Sequence, residues 1–474
     1  MAEANPLLAY GAWLAETPDA WLDAALSAAQ NAFIDTLGVA IPGAAEPVTR
    51  KVFATVRAWG EGPCTVIGAD LRLAAPWAAL INGTAAHALD FDDNFDPPKA
   101  HASAVLVPAI LALAEQEQLS GRACLDAYIA GLQIMGRVGQ GVNPAHRNRG
   151  WHATGTVGAI GAAAACARLL RLPAQEAAFA LSIATSLAGG FMSQFGTMTK
   201  PLHAGLAAQA GVMAASLARA GIDAGLGTLD GPTGMNRLMV GPDLEELRAG
   251  LTHIEHGQTL RFETESVGEP LLILSSGLKV KRFPNCGSAH RAMDGLLALR
   301  ERHAFAASDI AEIRVSAPAS HLANLMYQDP TTPAQARFSL GYALAVIALH
   351  GRCALGDFSE AAIAAPEPRA LFPLVRRLPV DKSEGEFATV VEVALHDGTT
   401  HSIAIEMPVG SLAAPLSDRQ YATKFDECAA GLIPASELAD LKRSLSKLAD
   451  LASIAPVMDR LAHMWSSPGD AHDA

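Results

Sequence analysis

Residues 155–170 read GTVGAIGAAAACARLL, and residues 203–218 read HAGLAAQAGVMAASLA. Both segments are apolar on nearly every face, so each predicts a helix buried all round rather than one with a single apolar stripe. Both are also rich in Gly and Ala, which let neighbouring backbones approach closely. Working outward, DAWLDAALSAAQNAFIDTLGVAI (residues 19–41) has apolar residues at three- and four-residue spacings, and SAVLVPAILALAEQ (residues 103–116) is again almost wholly apolar. Pro173 stands at a helix-opening position before AQEAAFALSIA. No alternating strand is predicted before about residue 265. After Pro270 the pattern changes. EIRVSA (residues 312–317) alternates like a half-buried strand, and residues 389–395 and 402–407 are β-rich runs around a turn at Asp397-Gly398, a hairpin signal. Helical stretches RAMDGLLALRERH (residues 291–303) and QARFSLGYALAVIALHG (residues 335–351) lie between them. ASELADLKRSLSKLADLASIAPVMDRLAHM (residues 435–464) returns to amphipathic helix and could rejoin the first portion. The expected fold is mainly α: a large all-helical domain, residues 1–267 and 410–474, plus a smaller α+β domain, residues 268–409.

Composition excludes several classes of function. The chain has 474 residues, half of them hydrophobic and 18% charged, so it buries sizeable cores and is not globally disordered. Aromatics are only 5%, which suits closely packed helices better than sandwiches or barrels. Net charge is −13, and the 35 Lys and Arg form no long run, so no electrostatic footprint for nucleic acid or an anionic membrane is present. Cys64, Cys124, Cys166, Cys286, Cys353 and Cys428 are scattered without a CxxC, which gives no zinc site, redox pair or iron–sulfur cluster. Scattered thiols fit a reducing compartment. The first residues lack a basic region and carry Glu3, Glu16 and Asp19, so no secretory signal is expected. The longest uncharged stretch, residues 177–199, contains Gly189, Gly190, Ser193, Gln194, Gly196 and Thr197 and reads as protein interior rather than a membrane span. A soluble, cytoplasmic protein is expected.

Four stretches carry candidate chemistry. NGTAAHALDFDDNFDPPKAHASAVLVP (residues 82–108) places Asp90, Asp92, Asp93 and Asp96 between two apolar helices and leads to His101. Such a loop is ordinarily solvated, but Phe91 and Phe95 interleave the aspartates and argue that part of it packs inward. A carboxylate against an apolar wall has its pKa raised and becomes a usable proton acceptor near neutrality. His152 opens the small-residue helix, where an imidazole taken by itself is more often a structural hydrogen-bonding residue than a functional one. Lys200 is the one formally charged residue between Glu176 and Arg219, with His203 three residues on; an ammonium in so apolar a setting is costly unless it meets an anion. In LKVKRFPNCGSAHRAMD (residues 278–294), Lys279, Lys281 and Arg282 form either a basic surface turn or an anion-binding one. Tyr327 alone reads as a surface residue. There is no GxSxG elbow, Walker A loop, GxGxxG after a strand, or HExxH. DFDDNFDPPKAH is no EF-hand, because Phe95 stands at the required Gly and His101 at the bidentate Glu. Asp92-Asp93-x-x-Asp96 matches the short DDxxD pattern of magnesium-dependent isoprenoid synthases, whose aromatic-lined cavities this chain lacks.

Taken together the chain resembles the MmgE/PrpD family, the group that contains 2-methylcitrate dehydratase, cis-aconitate decarboxylase and iminodisuccinate epimerase. The resemblance rests on NGTAAHALDFDD followed by HASAVLVPAILALAE, on GWHATGTVGAIGAAAA, GTMTKPLHAGLAAQAG and KRFPNCGSAH, and on DPTTPAQARFSLGYALA, in that order. It implies a helical domain assembled from both chain ends, an α+β lid domain, a homodimer, and no metal or organic cofactor. It implies catalytic positions at Asp90, His101, His152, Lys200, Lys281 and Tyr327, with Asn94, His203 and Arg282 binding substrate. Asn94 stands where decarboxylase-like members carry a hydroxyl residue, and the Asp90-to-His101 spacing is one residue longer than in that branch. The implied function is a lyase acting on a small di- or tricarboxylate by proton transfer at the carbon beside a carboxylate. Dehydration of a 2-methylcitrate-like acid is the first expectation, cis-aconitate decarboxylation or iminodisuccinate epimerisation the alternatives. A helical ligand-binding protein without catalysis is the alternative of another class.

Overall fold

The computed structural model describes residues 4–251, 254, 256–380 and 388–462; the last two residues of the expected C-terminal helical stretch, His463 and Met464, lie outside them. It is mainly α, with 58% helix and 10% strand. The chain divides into two units, the first comprising Met1–Ala88, Asp92–Leu278 and Cys428–Ala474, the second Leu89–Phe91 and Lys279–Glu427.

The first unit begins with α1 (Pro6–Glu16), capped by the Asn5 side chain, then α2 (Asp23–Ala44), α3 (Pro47–Val56) and a short antiparallel pair, β1 (Glu61–Thr65) and β2 (Arg72–Leu73). This pair corrects the expectation of no strand before residue 265. Its two strands are five and two residues long and include Gly62 and Pro63, too little chain to show alternation. There follow α4 (Ala75–His87), α5 (Ser103–Gln116), α6 (Gly121–Val142), α7 (Ala145–Asn148), α8 (Ala153–Leu169), α9 (Ala174–Leu187) and α10 (Thr199–Arg219). Pro173 is the N-cap residue of α9. As the all-round apolar pattern requires, every residue of α8 is buried, and so is α5 from Ser103 to Glu115. α2 is long and apolar enough to cross a membrane, but 61% of its most apolar window is buried in this unit, so core packing accounts for its composition. Residues 428–462 pack on the same unit, with Gly68 N–H donating to the Leu461 carbonyl (2.7 Å) and Gly121 N–H to that of Leu451 (2.9 Å).

Glycine seams set the helix spacing. A Cβ on Gly83 of α4 would lie 2.9 Å from the Gly205 Cα of α10, and one on Gly205 would collide with the Leu80 carbonyl and the Thr84 hydroxyl. Gly211 of α10 abuts Ala162 of α8 in the same way, and Gly161 of α8 abuts Met135 of α6. Backbone-to-backbone packing at this range leaves no void for a methyl group.

In the second unit the sheet order is β4-β3-β5-β6, with β3 Ile310–Pro318, β4 Val375–Val380, β5 Thr389–Leu395 and β6 Thr400–Ile405. β3 pairs parallel with β4 and antiparallel with β5, and β5 with β6. The β5–β6 turn is the Asp397-Gly398 signal: Gly398 has φ +89° and the Asp397 carboxylate accepts from Thr399 N–H at 2.8 Å. β4 was not expected from the sequence; it is an edge strand, VRRLPV, whose arginines and proline mask a β pattern. The helices His290–His303 and Leu340–His350 bury Met293, Leu296, Tyr342 and Ile347 with Ile313, Val391 and Val393 of the sheet.

Gly205→Ala is expected to force α10 off α4, costing about 1–3 kcal/mol and lowering the thermal midpoint by roughly 3–10 °C. Circular-dichroism melts check this; an unchanged midpoint contradicts the seam.

Candidate active site

In the first unit α4 ends at His87, and the chain re-enters at Asp92 and Asp93 before α5 starts at Ser103. Phe95 and Ala100 pair across the connecting loop, with N–H donors at 2.8 and 3.1 Å, and Phe95 is wholly buried against Gly136 of α6. Asp93 caps α5: its carboxylate accepts from Ser103 N–H at 3.2 Å and from the Ser103 hydroxyl. Burial, together with the charges of Asp92 and Asp35, pushes its pKa up to about 7 against the Ser103 bonds. The expected inward packing of this loop is therefore observed, and each aspartate of the DDxxD stretch has a protein partner. Asp92 is taken by imidazoles, Asp93 by a helix start, and Asp96 by His256 at 3.3 Å.

Four imidazoles and one ammonium come together. Asp92 Oδ1 lies 2.9 Å from His87 Nδ1, and Asp92 Oδ2 lies 3.1 Å from His101 Nδ1. Lys200 Nζ, buried, is 3.0 Å from His87 Nε2 and 5.4 Å from the Phe195 ring centroid. His152 Nδ1 and His203 Nδ1 are 2.9 Å apart. Ring centroids are 4.3 Å apart for His87 and His101, 6.2 Å for His87 and His152, and 6.5 Å for His101 and His152. Phe195 closes over His152 with centroids 5.0 Å apart. His152 Nε2 is buried and has no hydrogen-bond partner among the described residues.

Local sequence explains the convergence. His101 immediately precedes the α5 N-cap, His152 is the N-cap of α8, and Lys200 is the second residue of α10. Three helix N-termini thus direct their positive ends at one cluster, an arrangement that favours an anion. Burial lowers the pKa of His152 well below the ordinary histidine range, and Lys200 and the neighbouring rings push the same way. Burial likewise takes His87 down to about 3, Asp92 opposing and Lys200 assisting, and it lowers His203. His87, His152 and His203 are therefore neutral near pH 7. His87, Asp92 and His101 are of metal-ligating types, but both Nδ1 atoms are turned on the carboxylate and an ammonium occupies His87 Nε2; the set is organised for protons and anions.

The second unit holds its own buried group. Asp90, at φ +51°, receives Lys281 Nζ on Oδ1 at 2.9 Å and on its carbonyl at 2.7 Å. Lys424 Nζ donates to the Phe91 carbonyl at 2.8 Å and lies 4.2 Å from the Phe91 centroid. These two lysines hold Leu89–Phe91 in this unit. Arg282 pairs with Asp294 at 2.9 Å, Tyr327 is half-buried with its N–H on the Phe338 carbonyl at 3.2 Å, and in the first unit Asn94 is half-buried.

The description of the MmgE/PrpD N-terminal domain matches residues 12–247, and that of the C-terminal domain matches residues 283–447. The chain belongs to the MmgE/PrpD family. Among its relatives, mouse cis-aconitate decarboxylase is 27% identical over 445 residues, covering 90% of this chain and 87% of the relative. The human cis-aconitate decarboxylase is 28% identical over 453 residues (90% and 88%), and that of Aspergillus terreus 27% over 475 residues (94% and 93%). As an MmgE/PrpD member the chain is a lyase.

Of the residues expected from sequence in this MmgE/PrpD chain, His101, His152, Lys200 and His203 stand in the first unit's cluster, and Asp90 and Lys281 pair in the second. Sequence reading passed over His87, Asp92 as a bridging group, Phe195 and Lys424. His87 lies five residues before Asp92 inside a quoted block, so a signal existed; Lys424, in the polar helix Asp418–Ala429, gave none.

His87, His146 and His290 are each pushed down to about 3, chiefly by burial. An unfolded chain takes protons on them near pH 6.5, so stability is full above that value and lost as pH falls toward 3, at about 1.4 kcal/mol per pH unit for each. His152, lowered in the same way, adds a fourth, and Asp93, held up to about 7, works in the opposite sense and offsets one of them. A net loss of roughly 3–4 kcal/mol per pH unit is expected between pH 6 and 5. Thermal midpoints measured from pH 8 to 5 check this, and a flat profile contradicts it.

Proposed function

We propose that this lyase decarboxylates a small unsaturated tricarboxylate of the cis-aconitate kind, with His152 delivering the proton and Lys200 holding a substrate carboxylate. The observation that carries this reading is the buried His152 Nε2, without a hydrogen-bond partner among the described residues, beside the neutral rings of His87 and His203. The names of the similar proteins support decarboxylation over the dehydration expected first from sequence.

In this reaction one carboxylate leaves as CO2, and its bonding electron pair moves through the adjacent double bond to the carbon beside another carboxylate. A proton joins that carbon. One C–C bond breaks, one C–H bond forms, and one proton is consumed. The negative charge that accumulates needs fixed donors in a water-poor place, where one preorganised donor contributes about 10²–10³ in rate. A positioned acid adds roughly 10²–10⁴. Burial and Lys200 keep His152 neutral; a bound polyanion reverses that balance and favours the imidazolium. Substrate and catalytic proton therefore enter together. Because the free enzyme's imidazole is neutral through the physiological range, kcat/KM is expected to fall as pH rises from 6 to 9. Asp90, Lys281 and Tyr327 remain in the proposal as residues of the second unit.

Lys200→Ala and His152→Ala are each expected to lower turnover at least tenfold in folded protein. Proton NMR in D2O with cis-aconitate, citrate, methylcitrate and amino-dicarboxylates separates the reactions. Bicarbonate together with a terminal alkene supports decarboxylation, an alkene without bicarbonate means dehydration, and deuterium exchange alone means epimerisation. Full activity in both variants would remove these residues from the site.

A further inference from the structure

Adjacent aspartates in the first unit do different work. Asp93 accepts from the backbone N–H of Ser103 and so caps a helix. Asp92, wholly buried, meets an imidazole at each oxygen, 2.9 Å from His87 Nδ1 and 3.1 Å from His101 Nδ1. The partners of the two rings settle their tautomers. A carboxylate only accepts, and His101 Nδ1 also faces the Asp93 carbonyl at 2.9 Å, so that nitrogen bears a proton, and in the neutral ring Nε2 carries the lone pair. An ammonium only donates, so His87 Nε2, 3.0 Å from Lys200 Nζ, must accept, and His87 Nδ1 donates to Asp92. The result is one continuous chain, Lys200 to His87 to Asp92 to His101, in which each hydrogen bond has a single direction. His101 N–H bonded to the Thr154 hydroxyl at 3.1 Å anchors the far end to α8.

We infer that Asp92 and His87 are positioning residues. Asp92 fixes the tautomer of His101 so that its Nε2 presents a lone pair, and His87, oriented by the same carboxylate, holds the Lys200 ammonium in place. This rests on the reading of Lys200 and His101 as active-site residues. Burial opposes a charge on Asp92, but His87 and His101 outweigh it and hold the carboxyl well below its usual range. Within the first unit Asp93, His152 and His203 also face this chain. A carboxylate serving two rings in this way is the arrangement that sets imidazole tautomers in acid–base sites.

Asp92→Asn tests the tautomer lock. With His87 still obliged to accept from Lys200, the amide oxygen must face His87 and the amide NH2 must face His101 Nδ1. The amide NH2 then competes with the Asp93 carbonyl for His101 Nδ1 and shifts the ring toward the Nε2–H form. In full-length protein the expected result is a kcat lowered roughly tenfold or more with KM changed less than threefold. Nitrogen-15 NMR of histidine-labelled protein without substrate, assigned by subtraction with His101→Gln and His87→Gln, should show both rings as Nδ1–H in the wild type. One ring should change tautomer in Asp92→Asn. His87→Gln, whose amide can accept from Lys200 and donate to Asp92, is expected to retain at least tenfold more kcat/KM than His87→Leu, which can do neither. Wild-type spectra with His101 as Nε2–H, or equal damage from His87→Gln and His87→Leu, would overturn the inference. The wild-type spectra need no substrate and no folded variant at Asp92, so they decide the tautomer question even if no polycarboxylate is turned over.

Discussion

The contact of α4 with α10 at Gly83 and Gly205 decides where the polar groups of the first unit can stand. The two helices run antiparallel, so the end of α4 that carries His87 lies beside the start of α10 that carries Lys200, and the 3.0 Å contact between them follows. Lys200 then sits where the negative end of the α4 dipole offsets the positive end of its own helix. α8 reaches the same place along the Gly211–Ala162 seam and brings His152 with it. Few aromatic side chains are needed in such a core, because backbones in contact supply the packing that larger side chains supply elsewhere.

Buried charge is placed differently in the two units. In the second unit Lys281 is matched by Asp90 at 2.9 Å. In the first, Lys200 meets a neutral imidazole, and the carboxylate beyond it is shared between two rings. Three helix N-termini and one ammonium give this cluster a field that favours an anion. The chain's net charge of −13 does not oppose this, since exposed charges are screened beyond about 8–10 Å at physiological salt, whereas buried groups are not.

Much of this was legible in the sequence. All-round apolar, small-residue segments gave α8 and α10; the Asp397-Gly398 dipeptide gave the β5–β6 hairpin; and isolated Lys200, in an otherwise uncharged stretch, pointed to a site. Phe91 and Phe95 correctly argued that the acidic loop is not all solvated, both being buried. β1, β2 and β4 were hidden by their shortness or by edge arginines, since a strand's pattern shows only when one face is buried along several residues. His87 and Lys424 were passed over because one histidine in an apolar helix and one lysine in a polar helix look ordinary until their partners are known.

By itself the sequence determined which segments are helical, that the interior is built on small residues, and which kinds of ionisable groups are placed in apolar surroundings. Those are local properties, set by periodicity and composition within a dozen or so residues. Only the tertiary structure decided that Asp92 binds two rings while its neighbour Asp93 caps a helix, that His152 keeps one nitrogen unpartnered, and that Lys200 faces an imidazole. Hydrogen-bond direction, burial and pKa depend on atoms brought within a few ångströms from distant parts of the chain, and no spacing along the sequence encodes that meeting.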